Sequence, residues 1–158
     1  VYKRQITGSP NHYTSNGRLN GYKKAMTNAG LTITDDYIQC GDYCIDGGYE
    51  AMMRLCKLQK RPTAIFISNY DMTIGAYLAI NYLRLKIPDD ISVIGFDNFP
   101  LANVVNPPLS FAEQPTNVMG TEAGKLLYRR ICGDYSDYPK TIMHKPTMHY
   151  KESIRQLT

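Results

Sequence analysis

No apolar run in this 158-residue chain approaches the roughly 18–20 residues that a membrane-spanning helix needs. No signal-peptide pattern is visible either, although the chain begins at Val1 rather than Met, so a leader ahead of it is not excluded. Cysteine is sparse. Cys40, Cys44, Cys56 and Cys132 are scattered, and Cys40-x-x-x-Cys44 has no second matching pair. His144 and His149 sit far off in a strand-like segment, so the thiols read as ordinary reduced thiols and not as a zinc set. That usage fits a reducing cytosol better than a disulfide-built secreted fold. The motifs of common enzyme chemistry are missing as well: no Gly-x-Ser-x-Gly elbow, no phosphate loop and no Cys-His pair at an interpretable spacing. Asp35-Asp36 with Asp71 or Asp97 could imitate a phospho-acceptor cluster, but the lysine such a fold needs after a late strand is not supplied. The expectation is a protein that is not an enzyme and carries no cofactor and no metal.

Charge excludes little. Eighteen Lys and Arg against fourteen Asp and Glu leave +4. The cations come as separate pairs, Lys23-Lys24, Lys60-Arg61 and Arg129-Arg130, with no basic arm and no aromatic–basic alternation of the kind that binds nucleic acid. Repeats and low-complexity stretches are absent. A hydrophobic content of 43% and a charged content of 20% are ordinary for one globular domain of this length.

What is present is organised around Pro62 to Pro100. Thr63 to Ile67 is a short apolar run rich in β-branched and aromatic residues, which reads as a buried strand. After Ser68-Asn69-Tyr70-Asp71, the residues Met72, Ala76, Ala79, Ile80 and Leu83 recur at helical spacing. Pro88 stops that helix. Asp89-Asp90 turn the chain, and Ile91 to Phe96 form a second apolar run ending in Asp97-Asn98. Strand, helix, strand over about 35 residues is a βαβ unit with parallel, buried strands. In such sheets ligands bind outside the carboxyl ends of the strands.

The rest of the chain reads around this unit. Ile6-Thr7 is all that remains of a first strand, and Val1 to Gln5 read as a ragged or non-native end. Thr14 or Ser15 caps a helix with Leu19, Tyr22, Met26 and Ala29 on its apolar stripe and Gly30 at its end. Arg18 falls in its first turn, where the helix dipole disfavours a cation. Tyr37 to Cys40 is a second strand. Asp46 caps a helix carrying Tyr49, Met52, Met53 and Cys56, whose methionines are core residues. Leu101 to Pro108 is irregular and Leu109 to Ala112 extended. Thr116 or Asn117 caps a helix with Met119, Ala123, Leu126, Leu127 and Ile131, which Gly133 ends. Thr141 to Tyr150 holds one or two late strands. The fold class is α/β, a parallel sheet of four strands flanked by helices, followed by a late excursion and return.

Four corners converge on the carboxyl edge: His12 to Arg18, Gly41 to Tyr43, Asn69 to Asp71, and Asp97-Asn98. They offer a guanidinium, an aromatic face, an amide and a carboxylate, which together suit a polyhydroxylated ligand. Each also has an ordinary reading: Asn69 as a helix N-cap, Asp97 as a turn residue, Tyr43 as surface, Arg18 as an exposed cation.

The words PTAIF-x-SN-x-x-MT-x-GA, IPDDISVIGFDN and QP-x-x-x-MG resemble the effector-binding domain of the lac repressor (LacI/GalR) family of transcription regulators, from about Ile6 to about Ile154. The resemblance implies a periplasmic-binding-protein-like C-terminal lobe built from 6–112 and 139–154. The helix in 113–133 would be contributed to an N-terminal lobe and would lack most of its packing partners. It implies effector binding at Arg18, Tyr43, Asn69, Asp97 and Gln114, with His12 and Thr14 as further candidates. Ser110-Phe111 ahead of Glu113-Gln114 departs from the family's small β-formers. A family member carries a helix-turn-helix, a hinge helix and most of a first subdomain ahead of the matching stretch, and none of these is in the sequence. The implied partners are a sugar-like effector, operator DNA only through the absent helix-turn-helix, and a second copy in a homodimer, all in the cytoplasm and away from membranes. A lobe of a periplasmic or lipid-anchored sugar-binding protein feeding a transporter is the alternative.

Overall fold

The computed structural model describes residues 2–98 and 100–156. Its centre is a six-stranded sheet of order β2-β1-β3-β4-β5-β6. The strands are β1 (Lys3–Thr7), β2 (Ile38–Cys40), β3 (Ala64–Ile67), β4 (Ser92–Phe96), β5 (Ser110–Glu113) and β6 (Thr147–His149). β1 to β5 all run parallel, and β6 returns antiparallel on β5. Five α-helices and one 3-10 turn (Asp35–Tyr37) accompany them among the described residues: α1 (Tyr13–Asn28), α2 (Ile45–Cys56), α3 (Tyr70–Tyr82), the short α4 (Leu101–Val104) and α5 (Thr116–Ile131).

One face of the sheet carries the core. Ile6, Ile65, Ile67, Val93, Leu109 and Phe111 point to it and are buried with Met52 and Leu55 of α2 and Met72, Ala76 and Ile80 of α3. Alternate residues in β-strands face opposite sides, so Phe66, Ile94 and Phe96 lie on the other face. There α1 supplies Tyr22 and Met26, and those three sheet residues stay half-exposed. The methionines Met52, Met72 and Met26 are core residues, as their spacing implies.

The opening of the chain departs from its reading as a ragged end. Lys3, Arg4 and Gln5 are strand residues paired with Ala64, Ile65 and Phe66, and Arg4 and Gln5 are buried. A strand with Lys-Arg-Gln has no apolar signature. It is held by neighbours on both sides, by the Arg4 guanidinium lying over the Tyr37 ring, and by its Nη2 donating to the Lys60 carbonyl at 3.0 Å. β5 is likewise a full member of the parallel sheet, so the parallel strands number five and not four. Of 141–150 only Thr147–His149 pairs.

Three helix starts sit earlier than their capping residues suggest. α1 begins at Tyr13 behind His12, so Arg18 is in its second turn, where the dipole acts weakly. Cys44, and not Asp46, caps α2, its Sγ accepting from the Gly47 amide at 3.3 Å. Pro115 precedes α5 with no side-chain cap. Asn69 does cap α3: its Oδ1 accepts from the Met72 amide at 3.0 Å.

α5 is different from the rest. None of its residues is buried, and Met119, Leu127 and Ile131, separated by eight and four residues, have 40%, 63% and 75% of their surface exposed. Its end is fastened by charge: Arg129 and Arg130 pair with Asp134 and Asp137 around Gly133, whose φ of +84° turns the chain. Hydrogen bonds from Ser136 and Arg129 pull the Asp134 carboxyl down to a pKa of about 2. After β6 the chain is fixed again by Ser153. Its buried hydroxyl donates to the Val93 carbonyl at 2.7 Å and accepts from the Ser110 amide at 2.8 Å, bridging β4 and β5.

Candidate functional site

All five parallel strands end on one edge, and the corner after each carries polar side chains. The strand order sets their sequence along that edge: the β2 corner with Tyr43, the β1 corner with His12 and Thr14, the β3 corner with Asn69, the β4 corner with Asp97, and Gln114 after β5. Neighbouring strands are about 4.8 Å apart, so five strands spread this row over about 19 Å.

At one end, Asp42 and Tyr43 both have positive φ, 49° and 59°, which turns the Tyr43 ring back across β1. The ring fills the space above Gly8, where a Cβ would lie 2.2 Å from its Cε2 and Cζ, so a larger residue there would displace the ring. The Tyr43 hydroxyl lies 2.6 Å from Ser15 Oγ and 3.0 Å from Thr14 Oγ1, and His12 meets the ring edge-on at 5.5 Å. His12, Thr14 and Tyr43 are therefore brought together. Ser15 was legible only as a possible cap. It is buried, and its hydroxyl depends on Tyr43. Tyr43→Phe leaves that buried hydroxyl unpaired and should cost about 1–2 kcal/mol. For a domain of this size the expected fall in Tm is about 2–6 °C in a thermal melt.

In the middle, Arg18 reaches from α1 across the sheet edge. Its guanidinium lies 3.8 Å above the Phe96 ring, and Nη1 donates to the Ser68 carbonyl. This stacking and the carbonyl, not an anion, accommodate the cation. Nε and Nη2 have no hydrogen-bond partner among the described residues. Asn69 spends its Oδ1 on the α3 cap, and its amide donors remain available. Phe96 carries no polar signal in sequence, yet it is the platform on which Arg18 rests.

At the other end, Asp97 sits at φ +82°, a conformation that only glycine, asparagine and aspartate enter readily. Two bonds hold it. Its amide donates to the Ala112 carbonyl at 2.8 Å, and its Oδ1 accepts from Gln114 Nε2 at 2.6 Å. Gln114 thus belongs to the row, despite the unusual residues that precede it. No described contact joins the Tyr43 cluster to Arg18 or Arg18 to Asp97. The row is an open edge. A cavity of about 450 Å³ lies elsewhere, between α1 and the half-covered sheet face near Phe66, Ile94 and Ile154, and is mostly apolar. A smaller one of about 280 Å³ adjoins Gln114 between Glu113, Val118 and Thr147.

The geometry so far is that of a parallel α/β lobe with its polar row on the carboxyl edge. The profile of the periplasmic binding protein-like domain matches residues 3–154. The chain belongs to that family. The ribose operon repressor of Escherichia coli (strain K12) is 40% identical over 126 residues, covering 80% of this chain and 38% of that protein. The HTH-type transcriptional repressor PurR of Histophilus somni (strain 2336) is 37% identical over 152 residues, 96% of this chain and 45% of that protein. A solved complex of the transcriptional regulator CelR with cellobiose superposes with a TM-score of 0.90 at 28% identity, covering 96% of this chain and 46% of that chain. The chain thus spans less than half the length of these relatives. They are named as transcriptional regulators, which is the LacI/GalR likeness carried by IPDDISVIGFDN and its neighbours. None of the three is named as an enzyme or a transport protein. Among the described residues no helix is long and apolar enough to cross a membrane, and no group of three metal-binding side chains occurs. The four cysteines are unpaired thiols.

Proposed function

We propose that this chain is the greater part of the effector-sensing domain of a LacI-type transcription repressor, and that its effector is a small polyhydroxylated molecule of the sugar class. One observation carries the reading: Tyr43, Arg18, Asn69, Asp97 and Gln114 stand in a single row on the carboxyl edge of a parallel sheet. Arg18 and Asp97 offer a charged donor and a charged acceptor for hydroxyls, Asn69 offers amide donors, and Tyr43 offers an apolar face. The relatives named for ribose and solved with cellobiose support the ligand class. The repressor names support regulation over transport.

The row lies open because only one lobe is substantially present. In this reading 6–112 and 139–154 form that lobe, and 113–133 crosses to a second one, where the exposed stripe of α5 finds its partners. Two-lobed proteins hold ligands by closing a hinge. Operator recognition belongs to a helix-turn-helix outside this sequence, since the helices that pack on the sheet have their apolar faces committed to it. The full protein works in the cytoplasm as a homodimer.

The test compares the 158-residue chain with the full protein in a thermal-shift screen of pentoses, hexoses and disaccharides. A bound ligand raises Tm by mass action. A clear shift on the full protein and little or none on the chain alone is the expected result. Equal shifts on both would place the whole site on this lobe and remove the closing cleft. No shift on either with any sugar would remove the ligand class.

A further inference from the structure

A second set of polar contacts lies just behind the row. Glu113, the last residue of β5, holds two partners. Its Oε1 accepts from Asn98 Nδ2 at 2.6 Å, and its Oε2 lies 2.6 Å from His149 Nε2 on β6, an approach that is out of line for a hydrogen bond and so acts as a charge contact. His149 is itself anchored. It stands opposite Phe111 in the antiparallel register, and its ring stacks on Phe111 at 4.8 Å between centroids with 21° between planes. Phe111 is buried, so the stack has a rigid floor. Lys151 Nζ lies 5.2 Å from the centre of the same ring and donates to Asn103 Oδ1.

Asn98 follows Asp97 directly, and the Asp97 backbone is in a left-handed conformation at φ +82°. The loop is therefore pinned at three places, all on or just after β5: the Ala112 carbonyl, Gln114 Nε2 and Glu113 Oε1. The first two act on Asp97 itself. The third acts on the neighbouring residue and is the one that reaches β6. β5 and β6 are the strands by which the chain leaves the sheet for α5 and returns.

We propose that Glu113 is a positioning residue that fixes the aim of Asp97 through Asn98, and that its pairing with His149 couples this aim to the two crossing strands. The proposal rests on the reading of Asp97 as a ligand-binding residue. Any shift of β6 along β5 moves His149 relative to Glu113, and Glu113 carries the 97–98 turn with it. A movement of α5 then alters the presentation of the Asp97 carboxylate without touching the ligand. The side chains are about one-third exposed, Glu113 at 33% and His149 at 38%. Such a pair contributes little to global stability because water screens it. Its effect should appear locally, and that separates positioning from a structural role.

The experiment measures amide hydrogen exchange of the 97–98 turn in the full protein without ligand, beside its Tm. Glu113→Ala should speed exchange at Asp97 at least fivefold while Tm stays within about 2 °C. Glu113→Gln keeps an acceptor for Asn98 and an amide for His149, and should restore protection. His149→Phe keeps the stack on Phe111 but not the pair, and should give an intermediate rate. Unchanged exchange in Glu113→Ala overturns the proposal, as does faster exchange spread evenly over the whole domain. Calorimetry with the sugar that gives the largest thermal shift supplies a second arm, in which Glu113→Ala should weaken binding about three- to tenfold and Glu113→Gln should not. If Asp97→Asn leaves that affinity unchanged, the ligand reading fails, while exchange still decides the positioning role on its own.

Discussion

Replacing Asp97 by asparagine should weaken effector binding to the full protein by at least tenfold in calorimetry, with little change in Tm. The carboxylate has two oxygens. Oδ1 is engaged by Gln114 Nε2, and the other is free to accept from a ligand hydroxyl. A charge-assisted hydrogen bond in a closed cleft contributes about 1.5–3 kcal/mol, and each 1.4 kcal/mol is a factor of about ten in affinity. Asparagine is the informative replacement because it separates function from backbone. At φ +82° alanine would be strained and could unfold the turn, whereas asparagine enters that region at least as readily as aspartate. It also retains an oxygen for Gln114, so what it removes is the charge and the second acceptor. An unchanged Kd removes Asp97 from the site. A tenfold loss accompanied by a large fall in Tm would instead assign the residue to folding.

The contrast between Asp97 and Arg18 marks what sequence can and cannot reveal about this site. The position of Asp97 was legible because a carboxylate directly after an apolar β-run sits, by the topology of a parallel sheet, on the carboxyl edge. Arg18 was legible as a position but not as a state. Its partners are the Phe96 ring and the Ser68 carbonyl, which are 78 and 50 residues away in the chain. No local pattern encodes a cation stacked on a ring from another strand. The same limit hid the Glu113–His149 contact, which needs the antiparallel register of β5 and β6. β1 failed for another reason. Strand readings rest on apolar alternation, and Lys3-Arg4-Gln5 has none. Its place is decided by β2 and β3 on either side, and by Tyr37 lying against Arg4, so tertiary context overrides local propensity. The βαβ unit, by contrast, was readable from end to end, because its strands are apolar runs with a strand paired on either edge and its helix has a clear cap at Asn69. α5 was readable as a helix. The stripe stands open here, so periodicity identified the element correctly while saying nothing of what covers it.

The largest stability effect expected in the chain comes from one methyl group. α2 and α3 meet at glycines. A Cβ on Gly75 would lie 1.9 Å from the Ile45 carbonyl oxygen and 2.6 Å from the Tyr49 amide nitrogen. These are backbone atoms of the first turn of α2, four residues apart, so the methyl would enter the space of a helical hydrogen bond. Alanine is favoured over glycine in a helix interior by about 1 kcal/mol. Overpacking of a fixed interface costs about 1–3 kcal/mol, occasionally more, and backbone atoms cannot rotate aside as a side chain can. The clash should win. Gly75→Ala should lower stability by up to about 2 kcal/mol in urea unfolding, the overpacking cost less the helix gain. Gly124→Ala in α5 is the matched control: its Cβ meets nothing within 4 Å. There only the helix preference remains, and stability of the chain should hold or rise by up to about 1 kcal/mol. If both variants behave alike, the α2–α3 contact is looser than described. If they diverge, the close approach at Gly75 is what sets α2 and α3 side by side, and with them the Tyr43 and Asn69 corners from which each helix starts.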